Sequence, residues 1–350
     1  MKFGMLHLFE APRGRSDKEM VDEQIAIMQG AEEYGFDSLW PAEHHFTEYG
    51  FCASPSLTLA AVARTTSRIR LGTGVVVLPF YNPVRVAEDY AMLDLISDGR
   101  VELGVGRGYQ PVEFDGFGVD QTQSAEMFDE AVEVIQRAWT EESFSFQGKH
   151  YQFNDVMVRP KPLQKPRPPM WMAALSESTF PKAGRMGMNL LCSPVFGGTL
   201  ERSKKLMNSY REALVNSGRN EADHEIGALT MVYVGETLEK AREEFSEAVL
   251  WYFHHFGKYV APKLGQPAIE GYEWYTDIRD MANVIEWETL VNAGAVICGD
   301  ADYVSEKINE VEENHGINHF LCWTRLGGLR TELVLAHMER MRDHVMPNFR

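Results

Sequence analysis

Apolar and polar positions alternate through Met1-Lys2-Phe3-Gly4-Met5-Leu6-His7-Leu8, the period of a strand. Ser16-Asp17-Lys18-Glu19 follows as a capping box, in which the serine hydroxyl and the glutamate carboxylate satisfy free amides at a helix start. Met20, Ile25, Met28 and Ala31 give that helix one apolar stripe, Gly35 stops it, and Ser38-Leu39-Trp40 begins the next strand, so the first unit is β-α-β.

The alternation continues to the end of the chain. A helix over Pro55–Thr66 leads into a strand over Ile69–Leu78, whose β-branched run reads as buried on both faces. Asn82-Pro83 supplies an N-cap and a first-turn proline for a helix through Leu95, and Asp98-Gly99 turns the chain into Val101–Val105. After a helix over Ser124–Trp139 the rhythm breaks. Phe144–Phe153 reads as a hairpin around a Gly-containing turn, and the proline-rich stretch Pro160–Pro169 is neither helix nor central strand, so 144–169 is an excursion from the barrel. Strands resume at Met170–Ala174, Asn189–Cys192, Ile226–Val234 and His319–Trp323, with helices near Thr199–Ser217, Thr237–Tyr252 and Asp300–Asn314 and a closing helix over Thr331–Val345. Between Phe256 and Asn292 no element repeats cleanly, which predicts a mobile insertion near the site. Eight strands alternating with helices predict an α/β fold, a (β/α)8 TIM barrel with insertions, formed by residues 1–350 as a single domain.

Composition narrows the function classes. Hydrophobic residues make up 44% of the 350, enough for a large core, and no apolar run reaches the ~18 residues that span a bilayer. A formal charge of −17 repels phosphate backbones and anionic membranes, so neither nucleic acid nor membrane is an expected partner. Cys52, Cys192, Cys298 and Cys322 are scattered, with no Cys-x-x-Cys pair, and the N-terminus lacks a basic start followed by a long apolar core; both favour a cytoplasmic enzyme.

The chemistry-bearing residues fall at strand ends, where an α/β barrel keeps its active site. Glu43-His44-His45-Phe46 follows the second strand. Neighbours on a strand point to opposite faces, so these side chains supply one reactive histidine with supporting neighbours and no metal site. A lone strand-end histidine is more often a hydrogen-bonded core residue than a catalyst, and the residues by themselves leave that open. Gly104-Val105-Gly106-Arg107-Gly108 lacks the third glycine and immediate helix of a dinucleotide fingerprint; it reads as a tight loop with Arg107 reaching either a phosphate or a surface carboxylate. Leu175-Ser176-Glu177-Ser178-Thr179 opens a helix with three hydroxyls at its positive end, an anion site if Arg107 converges on it and otherwise a plain cap. Gly74 has no side chain to keep a flat ring from the backbone. Trp251, His254, His255, Phe256, Tyr259, Tyr272, Trp274 and Tyr275 concentrate aromatic rings late in the chain, as a core, an interface or an apolar ligand pocket.

Glu43-His44-His45-Phe46-Thr47-Glu48-Tyr49-Gly50, with the opening Met1-Lys2-Phe3-Gly4, resembles the bacterial luciferase family of flavin-dependent monooxygenases. The resemblance runs along nearly the whole chain. It implies reduced FMN as co-substrate, supplied by a separate flavin reductase, and dioxygen converted on the ring to a 4a-hydroperoxide that oxygenates a small apolar or aromatic organic molecule. It implies His44 as the catalytic residue, with Glu43 orienting it or touching the flavin. It implies a cofactor shell of Glu43, Gly74, Val75, Arg107, Gly108, Tyr109, Ala174, Leu175, Ser176, Ser178 and Thr179, a non-prolyl cis bond at Gly74–Val75 beneath the ring, and Trp251 and Trp323 facing the substrate pocket. The expected assembly is a homodimer or a heterodimer with a related chain. The light-emitting subunit carries a reactive cysteine where this chain has Gly106, which argues against bioluminescence. Three rivals remain: a hydride-transferring enzyme using a deazaflavin on the same barrel, a non-catalytic flavin-binding protein, and a barrel lyase or isomerase.

Overall fold

Eight parallel strands close on themselves. In the computed structural model, which describes residues 1–12, 14–193, 199–260 and 284–350, the strands are β1 (Lys2–His7), β2 (Ser38–Pro41), β3 (Arg70–Gly72), β4 (Val76–Val77), β5 (Val101–Gly106), β6 (Phe144–Gln147), β7 (Gln152–Val156), β8 (Met170–Ala174), β9 (Asn189–Cys192), β10 (Ile226–Val234), β11 (Val296–Gly299) and β12 (His319–Trp323). Neighbours run β1-β2-β3-β5-β8-β9-β10-β12, and β12 returns to β1 with Lys2 opposite His319 and Met5 opposite Cys322. That is the predicted (β/α)8 barrel.

Helices α1 (Asp17–Gly30), α2 (Pro55–Ala63), α3 (Pro83–Ile96), α4 (Pro111–Phe117), α5 (Ser124–Thr140), α6 (Thr179–Met186), α7 (Leu200–Asn216) and α8 (Leu238–Val260) wrap the outside. Every residue of β5 and of β12 is buried, as expected where helices cover one face and the barrel interior the other. The capping box at Ser16 and Glu19 is complete, and Asn82 caps α3 by accepting from the Val84 amide.

The interior below the strand ends is filled by rings that find partners for their polar atoms. Trp40, Trp171 and His319 meet edge to face, with centroids 5.1–5.8 Å apart. Trp40 Nε1 donates to Ser38 Oγ at 2.7 Å, and Ser38 Oγ lies 2.7 Å from His319 Nε2. Trp171 Nε1 donates to Glu102, which also pairs with Arg70 at 2.7 Å. The Trp40 indole lies so close over Gly72 that a Cβ there would collide with it, which is why this strand ends in glycine. A packed floor of this kind closes that end of the barrel and leaves the opposite, carboxyl end for a site.

Five elements depart from the expected pattern. The expected strand Ile69–Leu78 is broken into β3 and β4, because the chain is bent at Thr73–Val75 with Gly74–Val75 in the cis form that the resemblance implied. The hairpin is antiparallel β6–β7 and reaches Val156, three residues past the expected end. Phe256–Val260 belongs to α8 and Trp287–Asn292 is a short helix, so these residues are not a structureless insertion; the rest of the expected insertion, 261–283, lies outside the described residues. β11 was unforeseen and pairs with the upper half of β10, Met231 to Val234. The closing helix is α-helical over Thr331–Arg340 and widens to a π turn over Met341–Val345.

The barrel's seam between β1, β10 and β12 is held at its lower end by Glu225, which accepts from Lys2 Nζ at 2.6 Å and from His319 Nδ1 at 3.2 Å. Burial alone would raise this carboxyl, but the bonds from His319 and Lys2 outweigh it and hold it at about 2, below its ordinary 4.5. A depressed folded-state value means that the stabilisation is complete above the ordinary value and lost as pH falls toward 2. Denaturant midpoints measured across that window should therefore fall more steeply for the native protein than for Glu225→Gln. Parallel curves would show that the seam carries no such linkage.

Candidate active site

A cavity of about 940 Å³ opens at the carboxyl ends of the strands. Its walls include His44, Glu43, Gly74, Val75, Arg107, Gly108, Tyr109, Ala174, Leu175, Ser176, Ser178, Thr179 and Trp323, so all but one of the candidate residues converge on one space. The exception is Trp251. Its side chain lies away from the cavity, and its ring stacks on His255 with centroids 4.0 Å apart. The next residue along α8, Tyr252, and Phe256 one turn beyond it reach the cavity instead, as the helical period requires of a face offset by one residue.

Histidines 44 and 45 are held by two different carboxylates. Glu113 Oε1 accepts from His44 Nδ1 at 3.0 Å and from the His45 backbone amide at 2.9 Å. Glu43, expected to orient His44, instead engages His45 Nε2 at 3.0 Å through one oxygen and accepts from the Val77 amide at 3.1 Å through the other. Burial raises the Glu43 carboxyl above its ordinary value against the opposing pull of His45. The correction follows from geometry: successive side chains leaving β2 diverge, so Glu43 and His44 cannot face each other, whereas a helix on the next-but-one loop can bring Glu113 in from the side.

Because an ionised carboxylate only accepts, the Glu113 contact puts the His44 hydrogen on Nδ1 and leaves a lone pair on Nε2. Gln110 Nε2 is placed 2.7 Å from Nδ1 and against the Tyr49 hydroxyl, which leaves the buried Gln110 Oε1 without a partner; turning the carboxamide over sets that oxygen beside the protonated Nδ1 and satisfies both groups. On the other nitrogen, the Tyr109 hydroxyl lies 3.4 Å from Nε2 and 3.2 Å from the Tyr49 hydroxyl. The imidazole is thus fixed from both edges, with Nε2 beside Tyr109, itself a residue of the cavity wall.

Gly74 and Gly106 both line the cavity, with the Val75 side chain between them in sequence and also on its wall. A Cβ on Gly106 would lie 2.7 Å from Val75 Cγ2, so Val75 already fills the volume that a cysteine at 106 would need. The far end of the cavity is polar. Ser178 caps α6 without committing its hydroxyl to the helix, and Ser176 Oγ lies 2.7 Å from Thr179 Oγ1 and 3.2 Å from Ser178 Oγ. Lys182 and Arg185 also line this end, on the α6 face that begins at Ser178. An i, i+4, i+7 spacing in Ser178, Lys182 and Arg185 makes that shared face legible in the chain, but it carries no motif. Hydroxyls, a helix amino end and cations beside a glycine-bearing wall suit a flat molecule with an anionic tail.

Residues 1–319 match the family described as luciferase-like monooxygenase. The chain belongs to that family. A relative from Acinetobacter baylyi, named the oxygenase component of a flavin-dependent trigonelline monooxygenase, is 29% identical over 100% of this chain and 96% of its own. The crystal structure of the monooxygenase RslO1 from Streptomyces bottropensis superposes with a TM-score of 0.88 at 27% identity, covering 100% of both chains. An F420-dependent secondary alcohol dehydrogenase with a bound F420-acetone adduct shares the fold at a TM-score of 0.79 and 21% identity, over 100% of this chain and 99% of its own. Membership makes this chain a monooxygenase of the flavin-dependent, two-component kind. Among the described residues no group of three or more histidine, cysteine or acidic side chains could hold a metal ion, and no helix is long and apolar enough to cross a membrane.

The luciferase-like motif around His44 did not point to Glu113, Gln110 or Tyr49 as its partners. Glu113 sits in the short helix α4, whose Pro111 start was the one available signal. Glu113→Ala would strand one buried donor, the amide of His45, at about 1–3 kcal/mol, and leave His44 Nδ1 to the Gln110 carboxamide alone. Chemical denaturation should show a loss of this order for Glu113→Ala and a smaller one for Glu113→Gln, whose amide oxygen can still accept. Equal stability of all three proteins would mean that the dyad is not formed.

Proposed function

We propose that the cavity binds reduced FMN and dioxygen and oxygenates an organic substrate at His44. The observation that carries this reading is the convergence of three unlike features in one space: a proton-accepting Nε2, a wall that includes Gly74 and Gly106, and an anion-attracting end at α6. FMN fits them in that order, since its reactive ring edge, its flat face and its phosphate lie along one molecule. Bound reduced flavin would supply the two electrons that split dioxygen between substrate and water.

The protein's share is binding, orientation and exclusion of water. Arg107, Ser176, Ser178 and Thr179 hold the phosphate, with Lys182 adding charge although it also pairs with Asp129. Gly74, Val75, Gly106 and Gly108 form the surface under the ring, and Glu43, Tyr109, Ala174 and Leu175 complete its edge. His44 Nε2 takes or returns a proton at the reacting centre, and Glu113 steadies the imidazolium when it forms. Leu8, Leu321 and Trp323 give the remaining volume apolar walls that keep bulk water out. The relative's name as an oxygenase component supports delivery of the reduced flavin by a separate reductase. With Val75 occupying the space of a thiol at Gly106, no light is expected.

A deazaflavin-dependent hydride transfer is the second reading, favoured by the shared barrel of the F420-dependent dehydrogenase and by the fact that oxidation of an alcohol also needs a proton acceptor facing the cofactor. The two separate in one experiment. Chemically reduced FMN, mixed with dioxygen in the presence of the protein, should reoxidise at least about tenfold more slowly than free flavin, because the enclosed site keeps water from the ring. Arg107→Ala should weaken FMN by about 1.5–3 kcal/mol, the worth of one charged hydrogen bond. Reoxidation at the rate of free flavin, together with anaerobic alcohol oxidation by oxidised F420, would overturn the FMN reading in favour of the second.

A further inference from the structure

Resting on the flavin-oxygenase reading, we infer that the substrate is a hydroxyarene, an aromatic ring bearing an O–H whose proton passes to His44 Nε2. The first reason is the direction of the hydrogen bonds. With the His44 hydrogen committed to Glu113 at 3.0 Å, the Nε2 side, beside cavity-lining Tyr109, can only accept. A ketone or aldehyde oxygen would present an acceptor to an acceptor; a hydroxyl presents a donor.

The second reason is a built two-point seat. Tyr109 lines the cavity with its hydroxyl 3.4 Å from Nε2, longer than a well-formed hydrogen bond between hydroxyl and imidazole. Tyr49, wholly buried, holds that hydroxyl from behind at 3.2 Å. An oxygen entering between them donates its hydrogen to Nε2 and accepts from Tyr109, which a hydroxyl does with one atom.

The third reason is the wall. Tyr252, Phe256 and Trp323 line the same cavity, Tyr252 and Phe256 lying nearly parallel with centroids 5.4 Å apart and Trp323 meeting Tyr252 edge-on at 4.4 Å. Ring faces and edges in that arrangement favour a planar guest by offset and edge-to-face contact beyond simple apolar burial.

The chemistry closes. The O–H bond breaks with its electron pair left on the arene, and the proton goes to Nε2. The electron-rich ring carbon ortho or para to the oxygen forms a C–O bond with one atom of dioxygen, while the other atom leaves as water. That ring carbon's hydrogen is released as a proton, and Nε2 gives its own proton back. Reduced flavin supplies both electrons, so hydroxyarene, dioxygen and reduced FMN yield dihydroxyarene, water and oxidised FMN. Tyr109 touches the reacting oxygen and is a catalytic residue on this account; Tyr49 is a positioning residue.

The test uses 2-naphthol and its methyl ether, 2-methoxynaphthalene, each titrated onto the protein with oxidised FMN present. Expected is preferential binding of 2-naphthol, with naphtholate absorbance appearing about one pH unit or more below its onset in free solution, as a base beside the hydroxyl requires. The shift should vanish in His44→Gln and shrink in Tyr109→Phe. Equal binding of naphthol and ether, no naphthol binding, or a shift that survives His44→Gln would each overturn the inference, and the first two need no variant. FMN fluorescence in the same samples reports separately on the flavin reading: retained FMN without an ionisation shift removes the hydroxyarene alone, whereas absence of FMN binding removes the reading beneath it.

Discussion

An ionised carboxylate can only accept hydrogen bonds, and the rest of the site follows from where this one lies. Glu113, 1% exposed, fixes the hydrogen of His44 on Nδ1 and at the same time ties down the amide of His45. One side chain therefore sets a tautomer, a ring orientation and the path of the backbone leaving β2. Were it absent, His44 could present a donor or an acceptor to the cavity with little preference, and the chemistry there would not be specified. The neighbouring Glu43, on the cavity wall, holds the His45 ring and keeps the second imidazole from competing.

The barrel makes this constraint possible. Its floor, packed with Trp40, Trp171 and His319 and their hydrogen-bonded partners, cannot adjust without losing several contacts, so the strand ends above it stand in fixed positions. From those ends come a base on one side, a glycine-bearing wall on another and an anion-attracting helix start on a third. Each is a separate consequence of local sequence: a diverging strand end, glycines where any Cβ would collide, and serines ahead of an amphipathic helix. Their meeting in one cavity is the property of the closed sheet.

Much of this was legible in the chain. Periodicity located all eight barrel strands, several of them to the residue, as in Met170–Ala174 and Ile226–Val234, because parallel strands buried on both faces give continuous apolar runs between turn signals. The residues drawn together at strand ends were legible for the same reason, since a barrel gathers them whatever the loops do. What escaped was tertiary. Glu113 lies 69 positions from His44 in a helix of seven residues, too short for an apolar stripe, so no spacing could link the two. Which face of α8 meets the cavity depends on where the helix docks, which periodicity alone does not fix, and Tyr252 lines it where Trp251 does not. β11 was missed because a four-residue run beside Gly299 is as good a turn as a strand.

The tautomer of His44 is the claim on which the direction of every proton in the account depends, and nitrogen-15 NMR of histidine-labelled protein reads it directly. The account predicts a neutral imidazole with hydrogen on Nδ1, reverting to a mixture or to the other form in Glu113→Ala. Hydrogen on Nε2 in the native protein would contradict it.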